Sequence, residues 1–201
     1  MMRIKRLVIG STNPGKIKEW EFFLRNFPLM SVAKLGSFPE PEEKGETFSE
    51  IAIEKAKHYA LVTKNFVLAE DGGFEIDFLN GAPGVKSRRI LPGDKEGTDQ
   101  ELIDFVLGKL NGVPRANRGA KLVVSVALCD PQGNVIYEDE GEIRGEIAEK
   151  QSPVLEPGYP YRSILFIPEA GKYFVELTPE EHKRFSHRAP IARRLAKFLL
   201  K

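Results

Sequence analysis

The order of segments at the start of the chain constrains the fold more than any other feature. The apolar run Leu7–Ile9 is followed by the polar turn 11–15, and apolar residues then recur at helical spacing from Ile17 to Phe27. A buried strand, a polar loop and a helix in this order are typical of an α/β fold, in which ligands bind beyond the carboxyl ends of the strands. We therefore predict an α/β protein with a ligand site at the loop after its first strand.

Further strands and helices are predicted along the whole chain. Thr47 and Glu50 form a capping-box pattern, which predicts that a helix begins after residue 47. Two strand-like runs joined by residues 130–133 predict a hairpin, so the sheet is expected to be mixed. The predicted strands are Met30–Ala33, Phe66–Ala69 (ending at Glu70), Phe74–Phe78, Lys121–Cys129, Asn134–Glu142, which Ile143–Ala148 could extend, and Ile164–Ile167. The further predicted helices are Thr98–Leu110, a helix from Thr178 and Pro190–Leu200.

Composition and charge narrow the class of protein. With 201 residues, 41% of them hydrophobic, the chain can bury one substantial core, and we assign residues 1–201 to a single domain, built either as one body or as two lobes sharing a sheet. A net charge of +1 gives no field that would recruit nucleic acid or an anionic membrane. The apolar runs are too short to span a bilayer and the N-terminus lacks a signal-peptide pattern, so we expect a cytoplasmic protein. The single cysteine, Cys129, excludes an intramolecular disulfide and a thiolate metal cage.

The loop from Gly10 to Lys16 is the first candidate for chemistry. Backbone N–H groups at a helix N-terminus together with one ammonium group form a phosphate site. The segment nearly matches the P-loop signature, but Ile17 stands where that signature needs a hydroxyl for magnesium, which disfavours a P-loop kinase or NTPase. A polar loop with a solvated lysine is the alternative reading.

Two acidic segments are candidates for a metal site. Glu70 and Asp71 follow a predicted strand, and Glu42 and Glu43 lie in the preceding acidic loop. Magnesium prefers one or two carboxylates together with phosphate oxygens of the substrate, so these acids suit a site beside a phosphate-binding loop. Taken alone, they could equally be solvated turn residues.

The segment Ser186-His187-Arg188 is the third candidate. Its hydroxyl, imidazole and guanidinium groups could hydrogen-bond the acceptors on a purine edge. The same three residues could instead cap a helix and expose their charges.

The order of the motifs resembles the inosine triphosphate pyrophosphatase family. The resemblance covers nearly the whole chain and rests on the segments 11–16, 45–50, 69–73, 79–84 and 186–188. It implies an elongated mixed β-sheet with flanking helices, in two lobes around a central nucleotide-binding cleft. It also implies a homodimer that uses Mg²⁺ to hydrolyse deaminated purine nucleoside triphosphates, such as ITP and XTP, to the monophosphate and pyrophosphate.

The resemblance also implies roles for individual residues. Asp71 would activate the attacking water and, with Glu42, serve the metal. Lys16 would act in catalysis and bind the phosphates. The implied substrate-binding residues are Ser11, Thr12, Asn13, Lys16, Gly72, Tyr161, Arg162, His182, Ser186, His187 and Arg188.

The chain departs from the family pattern where the base would be read. Arg162 replaces an acid in the segment 158–163, and His182 replaces a lysine. A five-donor guanidinium in place of an acceptor predicts altered base selectivity, unless Arg162 turns outward to bind phosphate. A relative that binds nucleotides without turnover is the alternative function.

Overall fold

A computed structural model describes residues 4–200. Within that range the chain forms a mixed α/β fold with an eight-stranded sheet and five α-helices. The strands are β1 (Leu7–Ile9), β2 (Leu29–Ser31), β3 (Val67–Ile76), β4 (Pro83–Gly84), β5 (Gly119–Cys129), β6 (Val135–Ile147), β7 (Leu165–Ile167) and β8 (Lys172–Tyr173). The helices are α1 (Pro14–Phe23), α2 (Phe48–Thr63), α3 (Asp99–Lys109), α4 (Pro179–Phe185) and α5 (Arg188–Leu199).

The sheet is mixed, as the sequence predicted. Its hydrogen-bonded order is β2-β1-β3-β5-β6-β7-β8, with β4 paired to β3. Strand β1 is parallel to both β2 and β3, whereas β7 is antiparallel to both β6 and β8. No helix among residues 4–200 is both long and apolar enough to cross a membrane.

The chain divides into two compact units. The first comprises residues 4–71, 124–141 and 187–200, and the second comprises residues 72–123 and 142–186. The assignment of residues 1–201 to a single domain stays a prediction.

The first unit buries apolar residues on both faces of its strands. Leu7 and Ile9 pack with Trp20 of α1 and Leu195 of α5, whereas Val8 packs with Ala56 and other residues of α2. This separation follows from the strand period of two, which points successive side chains to opposite faces. The second unit has its own core, in which the buried faces of α3, β3 and β7 meet.

Several predicted boundaries agree with the structure. Thr47, Thr98 and Thr178 each cap a helix in a full capping box. Strand β6 includes most of the segment 143–148 that followed the predicted hairpin, and residues 186–187 separate α4 from α5. Cys129 ends β5 fully buried, and burial raises the pKa of its thiol to about 11, which keeps the thiol protonated.

Two predicted boundaries are wrong by four residues or more. Strand β3 does not stop at Glu70 but runs unbroken through Gly72 and Gly73 to Ile76, because glycine tolerates extended backbone and β3 has neighbouring strands on both sides in the sheet. Helix α1 ends at Phe23, four residues before the last apolar position of the predicted pattern.

Candidate active site

The loop after β1 is held by its own side chains. Asn13 caps α1, and its Oδ1 accepts hydrogen bonds from the backbone N–H groups of Gly15 at 2.8 Å and Lys16 at 3.2 Å. Ser11 Oγ accepts a bond from the Asn13 N–H, and Thr12 Oγ1 donates to Glu40 at 3.3 Å. The loop therefore presents Lys16 from a fixed turn at the positive end of a helix.

Glu70 is a buried carboxylate with a full set of donors. Its Oε2 accepts hydrogen bonds from Trp20 Nε1 at 2.7 Å and from Arg188 Nε at 2.9 Å, and Arg188 Nη2 bonds Oε1. Burial alone would raise the pKa of Glu70, but the charges of Arg188 and Lys16 and the hydrogen bonds outweigh it and lower the pKa to about 2. Glu70 is therefore ionised at neutral pH and carries no exchangeable proton.

Asp71 lies beside two lysines. Its Oδ1 is 2.9 Å from Lys55 Nζ and 3.9 Å from Lys16 Nζ, and its side chain is 13% exposed. Burial raises the pKa of Asp71, and the two ammonium groups offset only part of that rise. Lys55 shows the opposite balance, since burial would lower its pKa but the carboxylates of Asp71 and Glu43 raise it.

The acidic loop contributes Glu43 rather than Glu42 to this group. Glu43 Oε1 is 2.8 Å from Lys55 Nζ, so Lys55 lies between Glu43 and Asp71. Glu42 instead pairs with Lys44 at 2.5 Å, and its side chain is 78% exposed. A role for Glu42 as a metal ligand stays a prediction.

The segment 186–188 is buried rather than exposed. Ser186 caps the C-terminus of α4, Arg188 begins α5, and Ser186, His187 and Arg188 are each at most 5% exposed. The guanidinium of Arg188 contacts Glu19 at 2.7 Å as well as Glu70, and it also bonds the ring of His187. The sequence suggested base contact for Arg188, whereas in the structure its guanidinium is occupied by carboxylates.

In the second unit, Arg162 is buried and held on several sides. Its Nη1 donates to Glu156 Oε2 at 2.8 Å. The guanidinium carbon lies 3.9 Å from the ring centroid of Tyr159 and 5.4 Å from that of Phe174. His182 packs edge-on against the same Phe174 ring at 5.1 Å. The side chain of Arg162 therefore does not turn out into solvent. Arg162 and His182 both contact the ring of Phe174.

Tyr161 and Gly72 have structural surroundings that the sequence did not indicate. Tyr161 is 5% exposed, stacks on Phe74 with ring centroids 4.8 Å apart, and donates its hydroxyl to the Ser87 carbonyl. Gly72 lies inside β3, beyond the predicted end of that strand. Their roles in substrate binding stay predictions.

Three residues that the structure places in these groups had no predicted role at the site. Lys55 contacts Asp71 and Glu43, Trp20 hydrogen-bonds Glu70, and Glu156 pairs with Arg162. Helical spacing could have indicated Lys55, because it lies four residues after the buried Ile51 and therefore on the same side of α2. Trp20 belongs to an apolar pattern in which nothing marks its indole N–H as a donor to a buried acid.

Solved structures share the fold. The HAM1 protein from Coxiella burnetii matches with a TM-score of 0.82 at 32% identity, covering 97% of this chain and 98% of that chain. The Ham1 protein of Staphylococcus aureus matches with a TM-score of 0.79 at 30% identity and the same coverage.

The chain belongs to the Ham1 family, whose model matches residues 7–198. It is 37% identical over 201 residues to the dITP/XTP pyrophosphatase of Bacillus subtilis, with 99% of each chain covered. It is also 37% identical over 199 residues to the dITP/XTP pyrophosphatase of Leuconostoc mesenteroides, with 96% of each chain covered. The family resemblance that the motifs indicated is thereby confirmed.

Proposed function

We propose that the protein is a nucleoside triphosphate pyrophosphatase that hydrolyses (deoxy)nucleoside triphosphates, including non-standard purines such as ITP, XTP and dITP, to the monophosphate and pyrophosphate. The names of the relatives support the reaction. One observation supports the chemistry above the others: the carboxylate of Asp71 lies within 4.0 Å of the ammonium groups of both Lys55 and Lys16, and Lys16 belongs to the first turn of α1.

Glu70 and Asp71 have different roles in the proposed reaction. Glu70 is kept ionised by Arg188 and orients Lys16, whose Nζ lies 3.7 Å from Glu70 Oε1. Asp71, whose pKa is raised by burial, is the general base that takes a proton from the attacking water. Lys16 and Lys55 offset the negative charge of the triphosphate and of the leaving pyrophosphate, because fixed cations stabilise charge that develops in the transition state.

Magnesium is part of the proposal, and the residues suit it. No three His, Cys, Asp or Glu side chains within residues 4–200 are grouped as a metal cage. Two carboxylates, Glu43 and Asp71, do converge on the Lys55 ammonium, and one or two carboxylates are what magnesium takes when the substrate supplies the other oxygens. Asp71, with an acid of the 42–43 loop, would hold the ion, which supplies charge neutralisation for the phosphates.

Altered base selectivity is also proposed, on the basis of Arg162. Its burial beside Glu156, Tyr159 and Phe174 supports a fixed guanidinium with donors where the family pattern has an acceptor. Inosine triphosphate should then be preferred over common triphosphates by less than about a hundredfold, which corresponds to about 3 kcal/mol.

A panel of triphosphates tests the reaction and the selectivity together. The protein with Mg²⁺ should release pyrophosphate from dITP, XTP or another triphosphate of the panel. If nucleotide raises the melting temperature at constant protein concentration but no product forms, the protein binds nucleotides without hydrolysing them. A preference for ITP of a hundredfold or more would contradict the role given to Arg162.

We further propose that the protein works as a homodimer, as the family resemblance implies, and in the cytoplasm, as the sequence pattern predicted. Sedimentation at micromolar concentration should give twice the chain mass of 22.6 kDa, and a sedimenting monomer would remove the dimer from the proposal.

A further inference from the structure

A pocket of about 390 Å³ in the second unit has no role in the proposed reaction. Three neighbouring strands build one side of it, since the register pairs Glu146 of β6 with Phe166 of β7 and Phe166 with Tyr173 of β8. The Phe166 and Tyr173 rings meet edge to face at 5.8 Å. The volume lies within the range of small-molecule sites, and two aromatic rings offer a flat ligand an apolar surface.

Arg118 brings a buried positive charge to this pocket. The residue is 4% exposed, and its guanidinium donates to the carbonyl oxygens of Leu110, Ile147 and Ala148 at 2.6, 2.7 and 2.8 Å. A guanidinium has five N–H groups, so two of them have no hydrogen-bond partner within residues 4–200. No carboxylate of the described residues lies within ion-pair distance of Arg118, and a buried charge without a counter-charge is costly.

The other charges at the pocket do not supply that counter-charge. Arg115 holds Glu146 with two hydrogen bonds, one of them at 2.9 Å from Nε. Two other exposed residues of the lining, Glu149 and Lys150, have opposite signs. The lining therefore has one positive charge without a counter-charge, and this charge is the buried guanidinium of Arg118.

We propose that this pocket binds a small aromatic anion, with its negative group on the two remaining Arg118 N–H groups and its ring against Phe166 and Tyr173. A carboxylate or phosphate group suits a guanidinium because charge-assisted bonds to planar donors are strong. None of the residues that line this pocket is among the residues proposed to bind or hydrolyse the triphosphate.

Benzoate and benzamide provide a matched pair of probes, since they share a ring and a shape but only benzoate is charged. Binding to the full-length protein is measured by calorimetry and by NMR of the Arg118 Nε–H and of residues 147–150. Benzoate should bind saturably and shift these signals, and benzamide should bind about tenfold more weakly or worse. Equal binding of the two probes, or no saturable binding of benzoate, would overturn the proposal.

Variants then locate the site. Phe166→Leu should weaken benzoate about tenfold while the variant keeps its melting temperature within a few degrees. Lys109→Gln, which removes a cation that contacts Phe105 and does not line the pocket, should change nothing. Lys16→Ala should also leave benzoate binding intact, so a failed pyrophosphatase assay and a failed pocket are distinguishable. Arg118→Gln should abolish benzoate binding. If that variant does not fold, the benzamide comparison decides alone.

Discussion

At the scale of single residues, two adjacent acids acquire opposite properties from one strand. Because β3 continues through residues 70 and 71, their side chains point to opposite faces. Glu70 meets Trp20 and Arg188, whereas Asp71 meets Lys55 of α2. The pKa of the first is lowered and that of the second is raised, which separates a fixed charge from a proton acceptor.

Replacing Asp71 with Asn should therefore remove the base while keeping the shape. We expect turnover to fall by about a hundredfold or more, with a much smaller change in nucleotide affinity. Single-turnover kinetics and calorimetric binding would separate the two effects. Wild-type turnover in Asp71→Asn would rule out the catalytic assignment.

Lys16→Ala is the contrasting variant. An ammonium group that faces a triphosphate acts in both the ground state and the transition state, so this variant should lose affinity as well as rate.

Glu70→Gln should lower the free energy of unfolding at pH 7 by roughly 3 kcal/mol, because it leaves the buried Arg188 without its main partner. A carboxyl whose pKa is lowered on folding contributes stability above its unfolded value and loses it as pH falls through the folded value. The difference in stability between wild type and the variant should shrink from pH 4.5 toward about 2. Urea denaturation at several pH values measures it, and a constant difference would contradict the assigned pKa.

The selectivity of Arg162 can be tested with a compensated variant. Arg162→Asp alone would place two carboxylates together, because Glu156 already contacts residue 162. Combining Arg162→Asp with His182→Lys restores the charges of the family pattern at these two residues, and adding Glu156→Gln removes the neighbouring carboxylate. We expect kcat/KM to shift toward ITP and XTP, and Glu156→Gln alone is the control. An unchanged preference would show that these residues do not select the base.

At the scale of elements, the sequence predicts where helices begin better than it predicts the surroundings of Glu70 and Asp71. Capping residues are local signals, so the start of α2, α3 and α4 could be predicted from three threonines. The continuation of β3 through Gly72-Gly73 could not, because strand pairing overrides the local preference of glycine for turns. The surroundings of Glu70 and Asp71 depend on that continuation, and the ion pair of Glu156 with Arg162 depends on the 3-10 turn Pro160–Ser163.

The capping boxes of α2 and α3 form a matched pair for a stability test. Thr47→Ala and Thr98→Ala each remove a side-chain oxygen that accepts a bond from the backbone N–H three residues later. Each should cost about 1 kcal/mol in denaturant unfolding. Serine at either position should restore most of the loss, and an alanine variant as stable as wild type would contradict the capping role.

At the scale of the whole molecule, the order of the motifs along the chain predicted the family, which no single motif could do. Each motif alone left an ordinary structural reading open, but their order identified the family that the matches to Ham1 proteins confirm. The division into two compact units, and the place of Lys16, Glu70, Asp71 and Arg188 within one of them, depend on contacts across long sequence separations. Such contacts have no local signature that a sequence pattern could carry.

The site of bond cleavage tests the central claim most directly. dITP is incubated with the protein and Mg²⁺ in ¹⁸O-labelled water, and the products are identified by mass spectrometry, with Asp71→Asn as the matched control. If water attacks the α-phosphorus, the label appears in dIMP, the pyrophosphate is unlabelled, and the control gives far less of both. Release of orthophosphate with dIDP would contradict the proposed function and indicate hydrolysis at the γ-phosphate.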